Sequence, residues 1–499
     1  MKNTIVKKIQ DLRASIISFN KIGLSKKQKW ILFLILFLFY FYFYISSSGL
    51  VVSNDSGHYA LANSIYYDHQ LSLEKYWQIF VFAPDYAIKN NKLYSDRMPG
   101  NAFCIIPFLA YADIVKFFFP NTLANNVYCD VPVAIMLPAI CGVIGLYLLF
   151  LICFKYFRIR FWVSISVLIM TGLSTLYHLE SIHLFSHAPS MMLVTLAVTI
   201  ALFSQNSVHW KRNLYIISAI IGFAAIVELQ NILFLIPLFI YITYVNDSFN
   251  FKRIKSSLKI IITCTLIVSL FIGILLFYNY SAFGEIMLKS NKYNPFFKEE
   301  MSFFTSLSGN FLKGLDNLFT SFNNIPAYSN WSLGTENKTP GILVSNPIFI
   351  FSILGFFPFF KKYKEECLLF LSLIIISVLI ASFHVTTLVR HIFSIHLMLF
   401  MPIVFFLEWV RSQSQKKAII WYVLIGCTAL FSFFRQSYIT NHYFREFKFG
   451  EFPSLENTNI FLIINFPIIA FILYHILFNN GSHNHLKIIN SKKSSTVGK

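Results

Sequence analysis

The chain has 499 residues, of which 56% are hydrophobic and only 13% are charged. Soluble domains carry about 25% charged residues, so this composition excludes a water-soluble globule and predicts an all-α polytopic membrane protein. The formal net charge of +19 is compatible with nucleic-acid binding in principle. The basic residues lie in short runs between apolar stretches, however, and the membrane explains that pattern better than nucleic acid does.

Apolar stretches long enough to cross a bilayer recur along the chain. A spanning helix needs about 20 mostly apolar residues, and this criterion predicts about 12 spans, within a range of about 11 to 13. The predicted spans are 30–49, 131–154, 161–178, 186–204, 213–228, 229–244, 258–279, 345–360, 366–383, 391–409, 417–434 and 458–478. They form one membrane domain, 30–478, between a basic N-terminal segment, 1–29, and a tail, 479–499.

The distribution of positive charge predicts the orientation. Most of the 41 Lys and Arg fall in the two termini and in those loops that share a side with them. Because such residues stay on the cytoplasmic side, both termini are predicted to be cytoplasmic, in a multi-pass protein of the cytoplasmic (inner) membrane. The first apolar run has no small-residue cleavage site and is therefore interpreted as a retained span.

Two long segments, 50–130 and 280–344, are then predicted on the outer side, and long loops frequently carry function. This topology requires that the apolar stretch 101–119 does not cross the membrane. Asp113 and Lys116 are three residues apart and share a helical face, which favours an interfacial or re-entrant helix. A thirteenth span is the alternative.

The first outer segment opens with Asp55, in a polar break a few residues after the first span. If a helix begins here, its dipole favours the ionised carboxylate, as a general base requires. The alternative is that Asp55 only caps a helix over 56–68. His58 and Tyr59 follow directly and are candidates for a substrate pocket.

A second motif runs from Tyr94 to Gly100. It places Asp96 and Arg97 on a turn that the Pro-Gly pair fixes. Arginine suits bidentate binding of a phosphate, and a nearby carboxylate can orient the arginine or an incoming hydroxyl. The alternative is an ordinary surface turn with an ion pair. The shared loop with Asp55 favours a functional role, with Tyr94 as a further pocket candidate.

Ionisable residues also occur near the predicted outer ends of later spans. Such groups usually line a cavity or pair inside the bundle. Glu180, His187 and Glu228 are therefore pocket candidates, and Arg390 is a candidate cation. With His183, the spacing of Glu180 and His187 also permits a metal site, although histidines at helix ends are common at membrane interfaces.

Four features together resemble the multispanning GT-C glycosyltransferases, especially bacterial members related to protein mannosyltransferases and aminoarabinose transferases. An acidic residue comes early in the first outer loop, after a basic start and one span. The other three features are the motifs Tyr94-Ser95-Asp96-x-x-Pro99-Gly100, Phe185-Ser186-His187-Ala188 and Tyr280-x-x-Phe283-Gly284. The resemblance covers roughly residues 30–400.

The resemblance implies a GT-C-like fold and a transferase that uses a polyprenyl-phosphate-linked sugar. Asp55 takes the position of the catalytic acid of the first outer loop, and Asp96 is the second acidic candidate. Arg97 and Arg390 are the cations expected to face the lipid phosphate. Many relatives carry paired acids where Asp55 stands alone, so no metal or other cofactor is assigned, and a divalent ion stays an open alternative.

The predicted function is the transfer of a sugar to a lipid-linked or glycan acceptor at the outer face of the membrane. Asp55 would be the base of an inverting single displacement, and membrane lipid, donor and acceptor are the expected partners. One alternative is a transporter or flippase for a lipid-linked or anionic solute, in which the same residues bind but do not catalyse. Another is an O-antigen ligase or polymerase-like enzyme of different fold.

Overall fold

The computed structural model describes residues 23–47, 49–50, 53–80, 86–118, 130–247, 254–295, 309–321, 341–384, 389–446 and 455–478. The tail 479–499 and most of the N-terminal segment lie outside these ranges. The helices of the first half are α1 (Lys26–Ser46), α2 (Ser53–Tyr67), α3 (Pro99–Phe118), α4 (Val131–Ala134), α5 (Met136–Phe150), α6 (Phe161–Ser174), α7 (Tyr177–Ile182), α8 (His187–Phe203), α9 (Trp210–Val227) and α10 (Leu235–Asp247).

The helices of the second half are α11 (Ile254–Phe283), α12 (Phe311–Phe319), α13 (Ile342–Ser345), α14 (Phe349–Lys362), α15 (Lys364–Phe383), α16 (His396–Phe400), α17 (Ile403–Arg411), α18 (Gln415–Glu446) and α19 (Leu455–Phe478). Short 3-10 helices occupy Glu74–Phe80, Leu229–Phe234, Asn291–Tyr293 and Val389–Ile395, and Leu151–Tyr156 continues α5 as a π-helix. Strands β1 (Tyr86–Lys89) and β2 (Lys92–Ser95) form an antiparallel hairpin.

Nine helical segments within the described ranges are long and apolar enough to cross a membrane. This confirms the prediction of an all-α polytopic membrane protein. The nine include α3, and they fall short of the roughly twelve predicted spans partly because α6 and α14 have 14 residues each. A helix of 14 residues is about 21 Å long, which is less than the thickness of the hydrocarbon core.

The chain divides into two compact units, residues 1–41 with 455–499 and residues 42–454. In the first unit, the ring of Trp30 packs against the rings of Tyr474 and Phe478, with centroids 6.0 and 4.7 Å apart. The second unit contains all of the predicted site residues.

Hydrogen bonds identify two ends of the helix bundle in the second unit. At one end, the hydroxyl of Tyr156 lies 2.6 Å from Oε1 of Glu366. The same hydroxyl lies 2.9 Å from Oε1 of Gln205, a residue that comes shortly after the last residue of α8. At the opposite end of α8, Nδ1 of His187 lies 2.6 Å from Oε1 of Glu228, just after α9. We call these the Glu366 end and the Glu228 end. The basic loops predicted to be cytoplasmic lie at the Glu366 end, so the Glu228 end corresponds to the predicted outer side.

Both ends of α3 contact the Glu228 end. Near the start of α3, Asn101 donates a hydrogen bond from Nδ2 to the backbone carbonyl of Leu184 at 3.0 Å. In its last turn, Nζ of Lys116 lies 2.7 Å from Asp130, directly before α4. Asn101 and Lys116 are separated by a rise of about 22 Å along the helix axis, so a crossing α3 would place these contacts near opposite sides of the membrane. The contacts therefore favour the interfacial interpretation of 101–119 over a thirteenth span.

The hairpin is anchored on the residues that follow α11. Its turn, Asn90–Asn91, has positive φ angles of 50° and 58°, a conformation that Asn tolerates. Nζ of Lys89 lies 3.1 Å from Oε1 of Glu285 and donates to the hydroxyl of Tyr293 at 2.6 Å. These contacts fix the direction in which the chain leaves β2, at Asp96.

Candidate functional site

Asp55 is completely buried in the first turn of α2. Because α2 begins at Ser53, Asp55 is the third helical residue, and the predicted helix bounds of 56–68 with Asp55 as the N-cap are wrong. The amino end of a helix favours a negative charge, and a buried carboxylate is costly without such compensation. The position is suited to a carboxylate that accepts a proton.

His58 lies one turn after Asp55 on the same face of α2, and it is only 2% exposed. Burial, followed by the positive charge of Arg97, lowers the pKa of His58 to about 3, so the ring is neutral near pH 7. The charges of His187 and Glu228 also act on this ring. The start of α2 therefore lies near the Glu228 end of the bundle.

Asp96 and Arg97 are fixed by two side chains from the segment after α11. Asn294 donates from Nδ2 to Oδ2 of Asp96 at 2.8 Å, and Ser290 donates from its hydroxyl to the backbone carbonyl of Asp96 at 3.2 Å. Nε of Arg97 lies 3.4 Å from Oδ1 of Asp96. Because Asp96 is only 5% exposed, the interpretation as an ordinary surface turn is wrong. The two predicted outer segments meet at this point.

Lys289 adds a second cation next to Arg97, and the sequence analysis did not single it out. Its neighbour Ser290 is bonded to Asp96, which brings Lys289 close to Arg97. Burial, followed by the positive charge of Arg97, lowers the pKa of Lys289. Like charges held together in a partly buried place repel each other, so this arrangement is suited to an anion bound between them.

Glu228 lies at the centre of a buried hydrogen-bond cluster. Its Oε1 is 2.9 Å from the hydroxyl of Ser186 and 2.6 Å from Nδ1 of His187. Its Oε2 is 3.0 Å from the hydroxyls of both Ser190 and Ser394. These partners satisfy a carboxylate that is taken out of water, and charge-assisted bonds of this kind are short and strong. Glu228 thus fixes the ring of His187 and the 3-10 helix before α16.

Glu180 and Arg390 lie beside this cluster. Burial raises the pKa of Glu180, while the charges of His187 and Arg390 act in the opposite direction. The guanidinium of Arg390 lies 5.6 Å from the ring centroid of Phe185, in cation–π contact. The structure thus brings Glu180, His187, Glu228 and Arg390 together.

The two tyrosine candidates differ. Tyr59 is completely buried in α2, next to His58. The ring of Tyr94 packs against the ring of Phe283 at 5.2 Å, in an apolar cluster with Ala87. Tyr94 therefore packs the hairpin onto the end of α11, and its place in a substrate pocket stays a prediction.

His183 and His187 do not share a helical face, because His183 follows the end of α7 in an extended conformation and His187 begins α8. Nδ1 of His183 lies 2.6 Å from the carbonyl oxygen of Leu179, and Nδ1 of His187 is engaged by Glu228. Among the residues that the structure describes, no group of three or more His, Cys, Asp or Glu is placed to hold a metal ion.

Solved structures of two membrane proteins share this architecture. ArnT from Cupriavidus metallidurans, bound to undecaprenyl phosphate, aligns with a TM-score of 0.54 at 10% identity, over 91% of this chain and 78% of ArnT. The archaeal oligosaccharyltransferase AglB from Archaeoglobus fulgidus, in complex with an inhibitory peptide and a dolichol-phosphate, aligns with a TM-score of 0.51 at 12% identity, over 83% of this chain and 56% of AglB.

No protein-family model matches the sequence, and no curated protein matches it by sequence search. The likeness to ArnT and AglB is one of fold. It confirms the GT-C-like fold that the sequence motifs predict.

Proposed function

We propose that this protein is a membrane glycosyltransferase that moves a sugar from a polyprenyl-phosphate-linked donor to a lipid-linked or glycan acceptor. The observation that carries the proposal is the complete burial of Asp55 at the start of α2. One turn later comes His58, on which the charge of Arg97 acts. A buried carboxylate near cations, in a fold shared with ArnT bound to undecaprenyl phosphate, provides the groups that such a transfer needs.

The cations form the phosphate-binding part of the site. The charge of Arg97 acts on Lys289, whose neighbour Ser290 is bonded to the carbonyl of Asp96. The charges of Arg390 and His187 act on Glu180. In a water-poor site, preorganised cations stabilise the charge that develops on a departing phosphate. Arginine adds a bidentate geometry that matches phosphate oxygens.

Asp55 is the proposed general base. The acceptor oxygen would form a bond to the anomeric carbon while the bond from that carbon to the phosphate oxygen breaks. The hydroxyl proton would pass to Asp55, and polyprenyl phosphate would leave as the anion. Such base catalysis contributes about 10²- to 10⁴-fold. A single displacement of this kind inverts the sugar configuration, and Asp96 would orient Arg97.

The position of Asp55 and the cations in the bundle suits a lipid substrate. These residues lie at the Glu228 end, which corresponds to the predicted outer side of the cytoplasmic membrane. A phosphate headgroup at that depth can reach Arg97 and Arg390 while its prenyl tail stays among the apolar helices. The sugar can therefore be supplied by a lipid-linked donor that stays in the membrane.

A panel of undecaprenyl-phosphate sugars, presented to membranes that carry the protein, tests the proposal. We expect one member to be consumed with release of undecaprenyl phosphate. Asp55→Asn should reduce this release by about 10²-fold or more while binding of undecaprenyl phosphate persists. The control is Asp68→Asn, directly after α2. Its carboxylate pairs with Lys75 at 2.6 Å and accepts a hydrogen bond from Tyr76 at 2.8 Å, and the proposed mechanism does not use it, so release should stay near normal.

Two results would count against the enzyme. Near-normal release in Asp55→Asn would remove this carboxylate from the mechanism. Movement of a labelled lipid across the membrane, without release of lipid phosphate from any panel member, would instead support the transporter or flippase alternative.

A further inference from the structure

Several polar atoms near Asp55 are buried and lack a hydrogen-bond partner in the part of the chain that the structure describes. They are both ring nitrogens of His58, Oδ1 of Asn54, Nε2 of His187 and Oε2 of Glu180. A buried polar atom without a partner costs about 1–3 kcal/mol. Native proteins satisfy nearly all such atoms, so a group of them at one place needs an explanation.

These atoms belong to one neighbourhood. Asn54 and His58 are four residues apart on the same face of α2. The charge of His187 acts on His58, and it also acts on Glu180. The side chains come from three separate elements, α2, α7 and α8.

The chemistry of these atoms differs from that of the cation pair. The ring of His58 is neutral near pH 7, with one nitrogen that donates and one that accepts a hydrogen bond. Oδ1 of Asn54 only accepts. A phosphate offers acceptors alone, whereas a hydroxyl group both donates and accepts. A hydroxyl-bearing ligand can therefore satisfy this set of atoms, and the phosphate cannot.

We propose that His58, together with Asn54 and Nε2 of His187, binds hydroxyl groups of the sugar carried by the donor lipid. This inference rests on the proposed function and extends it. The site then has two parts, with Arg97, Lys289 and Arg390 for the phosphate and the uncharged imidazole of His58 for the sugar. Each part has its own chemical selectivity.

His58→Phe tests the inference, because it keeps a ring and removes both nitrogens. The probes are undecaprenyl phosphate and undecaprenyl phosphate linked to glucose, galactose, mannose, arabinose or N-acetylglucosamine, titrated against the purified full-length protein. We expect the wild type to bind at least one sugar lipid more tightly than undecaprenyl phosphate. His58→Phe should weaken the binding of that sugar lipid by about tenfold and change the affinity for undecaprenyl phosphate by less than about twofold.

The thermal midpoint without ligand separates a binding role from a structural one. Replacement of an unsatisfied buried ring by an apolar ring should leave the midpoint unchanged or raise it. His58→Gln, which keeps one donor and one acceptor, should retain more of the extra affinity for the sugar lipid than His58→Phe does. His209→Phe is the matched control, because His209 is exposed at the opposite end of α9, and it should change none of these values.

Three results would overturn the inference. A lower midpoint in both His58 variants would assign His58 to the core. Undiminished preference for the sugar lipid in His58→Phe would mean that ordered water alone satisfies these atoms. If the wild type releases undecaprenyl phosphate from a panel member but binds that sugar lipid no more tightly than undecaprenyl phosphate, only this inference fails. If no panel member is consumed, the proposed function itself fails.

Discussion

Asn294 donates a hydrogen bond from its side-chain amide to the carboxylate of Asp96 at 2.8 Å, although 198 residues separate the two in the chain. Both side chains are buried. With the bond from Ser290 to the carbonyl of Asp96, this contact joins the segment after α11 to the turn after β2. The orientation of Arg97 depends on this connection, because Arg97 is the next residue and lies against the same carboxylate.

Asn294→Ala should therefore reduce sugar transfer by about tenfold, because a buried carboxylate oxygen loses a donor worth about 1–3 kcal/mol. Asn294→Asp should reduce it further, since two carboxylates would then lie at hydrogen-bond distance. Initial rates in membranes, normalised to protein amount, measure both effects. Ser290→Ala removes the longer bond and should cost less. A wild-type rate for Asn294→Ala would show that the connection has no role in activity.

Lys289→Gln should weaken the binding of undecaprenyl phosphate by about tenfold, because one of two adjacent cations is lost. The salt dependence of binding should become shallower in the same variant. Lys292→Gln is the matched control: Lys292 is three residues further along and pairs with Glu285, with its side chain 46% exposed. Equal effects of the two substitutions would contradict a specific phosphate contact at Lys289.

Gly100→Ala should destabilise the protein by about 3 kcal/mol or more. A Cβ at this position would lie 2.5 Å from backbone atoms of Ile226 and Val227, which have no freedom to move aside. A lower thermal midpoint and a lower steady-state amount in membranes are the expected readouts. Gly273→Ala lies in α11 with no atom within 4 Å of the added Cβ, and it should not lower either value.

Single cysteines test the orientation. Lys92→Cys lies at the exposed tip of the hairpin, and a membrane-impermeant maleimide should label it in intact cells. Val208→Cys lies in the loop between α8 and α9, where Val208 is 93% exposed. This cysteine should react with the maleimide only after the membrane is permeabilised. The reverse pattern would invert the topology and move the Glu228 end to the cytoplasmic side.

The sequence predicts those site residues that lie beside the end of an apolar run or beside a turn motif. Asp55 follows the end of an apolar run, and Asp96 and Arg97 precede a Pro-Gly turn, so each can be recognised within about ten residues. Lys289 and Asn294 have no such local mark. Their roles arise only because two distant segments approach each other, which periodicity and turn residues do not encode.

The errors at the site have similar physical causes. The start of α2 differs from the predicted 56–68 because a helix boundary depends on packing as well as on capping residues. The ring of Tyr94 contacts Phe283 of α11, a long-range partner that the neighbours of Tyr94 in the sequence do not reveal. The spacing of His183 and His187 suggested one helical face, but the chain leaves the helix at His183 and starts a new helix at His187.

The link between Asp96 and Asn294 also sets an order of events during biosynthesis. A nascent chain contains Asp55, Asp96 and Arg97 well before the ribosome has made the residues that follow α11. Until those residues reach the same side of the membrane, Asp96 lacks the amide of Asn294 and Arg97 lacks Lys289 as a neighbour. A half-made chain therefore carries both acids without their later partners, and the proposed phosphate site is complete only once synthesis and insertion have passed α11.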